Sequence, residues 1–219
     1  MQILAKILFI LSSCAVFLIL PAILLTYLTP YYLNAFTRYD VYANFAGQNY
    51  FIPELDARFT HVLANIQPPF MTELEPEFFS PEDIAHMHDV QSVFKALYMI
   101  LIISLVVQFG SALILWQQVD YSQLLIILNQ TQQVTAILLA LLLAGAIIAL
   151  ANWDSAFTTF HQLLFPHNAY WMLDPASSNL IKYFPANIFQ EITQIYIAFL
   201  LVELLTWKLS SFIYHRSHS

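Results

Sequence analysis

Long apolar segments alternate with polar connections along this chain, and the apolar segments are long enough to cross a lipid bilayer. A helix of about 17–25 mostly apolar residues spans the hydrocarbon core. Four segments match this length closely, at about 5–28, 94–116, 134–151 and 189–214. Because backbone polar groups in lipid must be satisfied within the segment, each segment is expected to be helical. We predict an all-α, polytopic membrane protein with four transmembrane helices.

The polar connections differ in length and fall on two sides of the predicted membrane. Residues 29–93 and 152–188 lie on one side, whereas residues 117–133 and both termini lie on the other. The two longer connections are expected to form a small extracytoplasmic cap, within one integral membrane domain over residues 1–219. Residues 117–133 are predicted to be a loop resting in the membrane interface. Basic residues divide between both sides, so the preference for cytoplasmic termini does not rest on charge.

The first long connection carries two helix signals. A short helix is predicted from Pro53 to about Ile66. A second helix is predicted to start after Ser80 as its N-cap, with Pro81 in the first helical position and acidic residues in the first turn. This helix is expected to continue without a break into the second span.

Composition narrows the class of protein further. Charged residues make up 10% of the chain, against about 25% in a soluble domain. The net charge is −7 and no basic patch exists, which argues against a nucleic-acid partner. Cys14 is the single cysteine and lies in an apolar run, so no internal disulfide is expected. Residues 15–28 stay apolar beyond it, which favours a retained span over a cleaved signal peptide.

Two histidines border the predicted spans on the same side of the membrane. His86 precedes the second span and His161 follows the third. Histidine accepts and donates protons near neutral pH, so a converging pair beside lipid indicates acid–base chemistry on a lipid-borne group. Asp89 shares a helix face with His86 and is expected to orient a histidine or hold a cationic group. His88 points about 160° away from His86 and is interpreted as a surface residue.

The segment around His161 has the pattern of an amphipathic helix. Asp154, Thr158 and His161 fall on one helical face, and Phe157 belongs to a mostly apolar surround. A histidine that only fills the core is the alternative interpretation. The aromatic pair Tyr170 and Trp171 also suits an aromatic belt at the membrane interface.

Two sequence runs resemble the bacterial lipoprotein intramolecular transacylase (Lit) family. The first is Phe79-Ser80-x-Glu82-x-x-x-His86-Met87-x-Asp89-Val90. The second contains Phe157, Phe160-His161, Phe165-Pro166, Tyr170-Trp171, Leu173-Asp174-Pro175, Leu180-Ile181 and Phe184-Pro185. The resemblance covers most of the chain through span order and spacing, and it is most specific over residues 78–95 and 154–191.

The resemblance implies a multi-pass enzyme of the bacterial cell membrane with its site at the extracytoplasmic face. In this family the sn-2 acyl chain of a diacylglyceryl-modified N-terminal cysteine moves to the α-amino group of that cysteine, giving a lyso-form lipoprotein. By resemblance, the catalytic residues map to His86 and His161. The residues expected to bind substrate are Asp89, Asp154, Phe157, Thr158, Tyr170 and Trp171. Expected partners are diacylglyceryl-modified lipoproteins and membrane lipid, with no cofactor and no metal.

The residues suit this chemistry on their own account. An α-amino group has a pKa of about 7.7–8.0 and histidine one of about 6.5, so a neutral imidazole can accept the proton of an attacking amine. Nucleophile and ester belong to one molecule, so holding them close replaces an acyl-enzyme. The absence of a Gly-x-Ser-x-Gly motif agrees with this.

Two other classes of function remain open from the sequence. One is a membrane hydrolase, with or without a metal, that uses the same histidines with water. A metal site built on His86, His88 and Asp89 is the weaker alternative, because His86 and His88 diverge on a helix. The other class is a non-enzymatic membrane subunit or binding protein, in which neither histidine would matter.

Overall fold

The computed structural model describes the backbone of residues 1–217 and the side chains of residues 1–209. All regular secondary structure in this range is helical, which confirms the predicted all-α class. In chain order the elements are α1 (Gln2–Leu25), α2 (Thr29–Arg38), a 3-10 helix (Val41–Phe45), α3 (Ile52–Asn65), α4 (Pro81–Gln118), α5 (Tyr121–Ala151), α6 (Trp153–Leu164), α7 (Asn179–Tyr183) and α8 (Ala186–Ser217).

Among these helices, α1, α4, α5 and α8 are long and apolar enough to cross a membrane. They correspond to the four predicted spans. The short helix predicted from Pro53 is also present, as α3.

The connection between the second and third spans is much shorter than predicted. Because α4 ends at Gln118 and α5 begins at Tyr121, the loop predicted over residues 117–133 is wrong. The Asp120 carboxylate accepts hydrogen bonds from the Gln123 backbone N–H (2.8 Å) and the Ser122 hydroxyl (2.7 Å), which caps the start of α5. Leu, Ile and Gln form helices readily, so the helix begins at this cap rather than where the polar residues end.

The start of α4 is fixed by a reciprocal pair of hydrogen bonds. The Ser80 hydroxyl accepts from the Asp83 backbone N–H (3.1 Å), and the Asp83 carboxylate accepts from the Ser80 backbone N–H (3.0 Å). This is a capping box, and it confirms Ser80 as the N-cap. The 38 residues of α4 extend about 57 Å, well beyond a hydrocarbon core of about 30 Å. His86 therefore belongs to the turns that precede the apolar part, residues 94–116.

The chain divides into two compact units. The first comprises Met1–Ile23, Leu97–Ile147 and the chain from Gln194 onward, and the second comprises Leu24–Ala96 and Ile148–Thr193.

Polar side chains inside the first unit connect its helices. Gln108 donates a hydrogen bond to the Ser13 hydroxyl (2.9 Å), and the Tyr196 hydroxyl donates to the Leu18 carbonyl (2.9 Å). Interhelical hydrogen bonds of this kind stabilise helix association where no hydrophobic force acts between the helices.

Aromatic residues form the core of the second unit. Phe36, Phe59 and Tyr183 are fully buried, with ring centroids 4.5 Å apart for Phe36 and Phe59 and 5.5 Å apart for Phe59 and Tyr183. The Tyr183 hydroxyl donates to the Leu55 carbonyl (2.8 Å). Each aromatic pair contributes about 0.5–1.5 kcal/mol beyond its burial. This core joins α2 and α3 of the first long connection to α7 of the second.

Candidate active site

Helices α4 and α6 bring His86 and His161 together inside the second unit. Their ring centroids are 5.9 Å apart with an interplanar angle of 41°. Both side chains are buried, with 9% of His86 and 7% of His161 exposed. Two groups that can carry a proton therefore lie within reach of one small reacting centre.

His161 is held in one tautomer by its own helix. Its Nδ1 lies 2.8 Å from the Phe157 carbonyl oxygen. A carbonyl only accepts, so Nδ1–H is the donor and Nε2 of the neutral ring keeps its lone pair. Burial lowers the pKa of His161, and the hydrogen bond to Phe157 opposes this in part. At neutral pH the ring is therefore uncharged and ready to accept a proton at Nε2.

His86 lies in a more strongly desolvated position. Burial, and next the charge of His161, lower the pKa of His86 to about 4, while Asp89 and Asp83 oppose the shift. Its Nδ1 is buried and accepts or donates no hydrogen bond among the described residues. Because positive charge on one ring disfavours positive charge on the other, the two rings carry at most one positive charge between them near neutral pH.

Aromatic rings enclose the histidine pair. The ring centroid of Phe157 lies 4.1 Å from that of His161. The Trp171 ring stacks on the His161 ring, with centroids 5.1 Å apart and an interplanar angle of 26°. Phe165 meets the edge of His86 at 5.4 Å, and Phe160 meets the edge of His161 at 5.3 Å. These rings keep water from the imidazoles, which is why burial dominates both pKa shifts.

Asp83 lies close to the histidine pair, although the sequence predicts it only as one of the acidic residues in the first turn of α4. Its carboxylate is fully buried and accepts from the backbone N–H groups of Ser80 (3.0 Å), Asn179 (3.2 Å) and Leu180 (3.4 Å), and from the Ser178 hydroxyl. Asp83 therefore fastens the start of α4, one turn before His86, to the start of α7. The Ser80-x-x-Asp83 spacing of a capping box was the available signal.

Asp89 holds the loop that follows α6. Its carboxylate accepts a hydrogen bond from Asn168 (2.9 Å), and the Asn168 side-chain carbonyl accepts from the Tyr170 backbone N–H (3.2 Å). Trp171, the next residue in this loop, is the ring that stacks on His161. Asn168 was not predicted as a site residue, and Asp89 acts on the pair through this loop and through its charge.

Other predicted site residues form no hydrogen bond, ion pair or ring contact with the pair within the described range. Asp154 and Thr158 are exposed on α6, and neither side chain has a recorded hydrogen bond, ion pair or ring contact within the part of the chain that is described. The Tyr170 side chain is about half exposed, and His88 is exposed on α4. Over the described residues, no three His, Cys, Asp or Glu side chains are grouped so that they could hold a metal ion.

The described residues form an all-helical protein with four helices able to span a membrane and a buried pair of neutral histidines, whose rings can accept and donate protons. The family model of the lipoprotein intramolecular transacylase Lit matches residues 7–189. The chain belongs to this family, and it is therefore an acyltransferase. This confirms the resemblance found in the sequence.

Three solved structures from Bacillus cereus are similar to this chain. The membrane integral lipoprotein intramolecular transacylase Lit of that organism matches with a TM-score of 0.84 at 17% identity, over 100% of this chain and 98% of the other. A variant of it with one histidine replaced by arginine matches at 0.79 and 14% identity, covering 100% and 93%. A variant with alanine there matches at 0.78 and 15% identity, covering 100% and 96%. No curated relative matches the chain.

Proposed function

We propose that this protein moves the sn-2 acyl chain of a diacylglyceryl-modified N-terminal cysteine to the α-amino group of the same cysteine. The product is a lyso-form lipoprotein with an amide-linked acyl chain. Membership of the Lit family supports the general reaction. The observation that carries the residue assignment is the buried pair of His161 and His86, in which hydrogen bonding leaves Nε2 of His161 free to accept a proton.

His161 acts as the general base in this reaction, and His86 is its acid–base partner. The amine nitrogen attacks the sn-2 ester carbonyl carbon as Nε2 of His161 accepts the amine proton. The new N–C bond forms, the C–O bond to the glyceryl oxygen breaks, and the pair returns one proton to that oxygen. The proton taken from nitrogen thus ends on the leaving oxygen, and no acyl-enzyme is needed. General acid–base catalysis of this kind contributes about 10²–10⁴-fold.

Intramolecular geometry supplies much of the remaining acceleration. Well-oriented intramolecular reactions reach effective molarities of about 10⁵ M or more. Within this proposal Phe157 and Trp171 enclose the reacting ester beside His161. Asp89 attracts the cationic α-amino group, whereas Asp154, Thr158 and Tyr170 bind substrate at the exposed side of α6 and its loop.

The site of this multi-pass protein lies at the extracytoplasmic face of the bacterial cell membrane, in a small cap formed by residues 29–93 and 152–188. The exposed apolar side chains beside the pair support a membrane-facing surface, since Phe160 and Leu163 of α6 and Met172 of the next loop are exposed. Rings and long apolar side chains of this kind are favoured where a protein surface meets lipid. The acyl chains stay in lipid while the modified cysteine reaches the histidines.

The test of this function is tandem mass spectrometry of the N-terminal lipopeptide from purified protein and a synthetic diacylglyceryl lipopeptide. Substrate and product have the same mass, so fragment ions with amide-linked acyl chain must be measured. We expect the product to form in the presence of a chelator. In a mixture of heavy-acyl and light-acyl substrates, each product should keep its own chain. Scrambled labels would contradict intramolecular transfer.

A further inference from the structure

The second unit carries a polar groove separate from the histidine pair. It has a volume of about 420 Å³ and is formed by two chain segments, residues 48–50 and 176–182. Its lining residues are Gln48, Asn49, Tyr50, Ala176, Ser177, Asn179 and Lys182. The lining is dominated by amide, hydroxyl and ammonium groups, so the groove does not suit an acyl chain.

Asn179 forms a fixed centre for this groove. Its Nδ2 donates to the Phe78 carbonyl (2.7 Å), and its Oδ1 accepts from Lys182 Nζ (2.9 Å) and from Gln48 Nε2 (3.4 Å). Gln48 Oε1 is buried and has no hydrogen-bond partner among the described residues. A buried acceptor without a partner costs about 1–3 kcal/mol. The Gln48 side chain is partly exposed, so its rotation would let a donor from a bound molecule satisfy this oxygen.

The chemistry of the groove matches an extended polypeptide backbone. A peptide unit presents one N–H donor and one carbonyl acceptor. Gln48 offers the acceptor, while Lys182, Ser177 and the amide of Asn49 offer donors. Neutral amides that pair with backbone recognise a peptide whatever its side chains. We infer that this groove binds the polypeptide segment that follows the lipid-modified cysteine, a subsite that rests on the proposed function.

A lining residue of the groove is hydrogen-bonded to the carboxylate that lies one turn before His86. The backbone N–H of Asn179 donates to the Asp83 carboxylate at 3.2 Å. Asp83 precedes His86 by three residues, which is about 4.5 Å along the axis of α4. An extended chain advances about 3.3–3.6 Å per residue. Three or four extended residues cover about 10–14 Å, so the proposal places the bound part of the peptide within the first few residues after the modified cysteine.

The experiment compares two ligands that share the same lipid. One is a diacylglyceryl cysteine amide with no peptide, and the other carries six further residues of neutral sequence. Binding of both is measured by fluorescence anisotropy with protein in nanodiscs, for wild type, Gln48→Met, Lys182→Met and the double variant. Gln118→Met is the matched control, because Gln118 is exposed and lines no part of the groove.

We expect the Kd of the long ligand to rise about threefold to tenfold in each single variant, because each loses one hydrogen bond to the peptide. The Kd of the long ligand should rise further in the double variant. The Kd of the short ligand should stay within about twofold of the wild-type value in every variant. Equal effects on both ligands, or no effect on the long one, would overturn the groove assignment. Turnover of the short ligand by tandem mass spectrometry reports separately on the proposed function and on whether each variant is folded.

Discussion

Replacing Asp83 tests whether a buried carboxylate positions the histidine pair. Its four hydrogen bonds come from Ser80, Ser178, Asn179 and Leu180. Ser178 and Leu180 are buried, so Asp83→Ala leaves at least two hydrogen-bond donors with no acceptor and no access to water. Each such unpaired donor costs about 1–3 kcal/mol, so Asp83→Ala should lower the free energy of unfolding by about 2–6 kcal/mol. Asp83→Asn keeps the shape and one oxygen but loses the charge, so a smaller loss of about 1.5–3 kcal/mol is expected.

The assay is unfolding in detergent followed by tryptophan fluorescence, together with turnover under native conditions. Because Asp83 precedes His86 by one turn, both variants should lower kcat more than they raise KM, with alanine worse than asparagine. Glu77→Ala is the control, since it also removes a carboxylate but an exposed one, shortly before the same capping box. Unfolding and kcat equal to those of the control in both Asp83 variants would refute the positioning role.

Three further predictions concern pH, the loop after α6, and topology. Burial lowers the pKa of His161 below 6.5. Between that pKa and the pKa of the substrate amine, log(kcat/KM) should rise by about one unit per pH unit because only the amine must lose a proton, and below the pKa of His161 it should rise by about two units per pH unit because both groups must. A flat profile from pH 5 to 8 would exclude His161 as base. Asn168→Ala removes the 2.9 Å hydrogen bond to Asp89, so the free energy of unfolding should fall by about 0.5–1.5 kcal/mol and kcat should fall with it. His167→Ala changes an exposed side chain and should leave both unchanged. Cysteines at Glu77 and His167, both exposed, should label from outside intact cells, and a cysteine at Gln118 should be protected; the reverse pattern would place the histidines in the cytoplasm.

The helices that resemble membrane spans could be predicted from the sequence because the thickness of a bilayer sets their length. The start of α5 could not, because the Gln-rich segment after Tyr121 has the polarity of a loop while its residues favour a helix. Asp120 was the decisive residue, since its cap begins the helix before the apolar segment does.

The histidines could be predicted more fully than the residues that position them. His86 and His161 each lie in a patterned segment at the border of a span, and the family motif contains both. Asp83 and Asn168 act through partners far away in the chain, since Asp83 and Ser178 differ by 95 in residue number and Asn168 and Asp89 by 79. A single sequence contains no signal for such pairs.

The most direct test of the central claim is tandem mass spectrometry of lipopeptides after reaction with four single variants. His86→Ala and His161→Ala should each lower formation of the amide-linked product by at least about 10²-fold, the contribution of a positioned acid or base. His88→Ala and His167→Ala, which change exposed histidines, should stay within about threefold of wild type when matched for protein in the membrane. Equal losses in all four, or full activity without His161, would contradict acid–base catalysis by the buried pair.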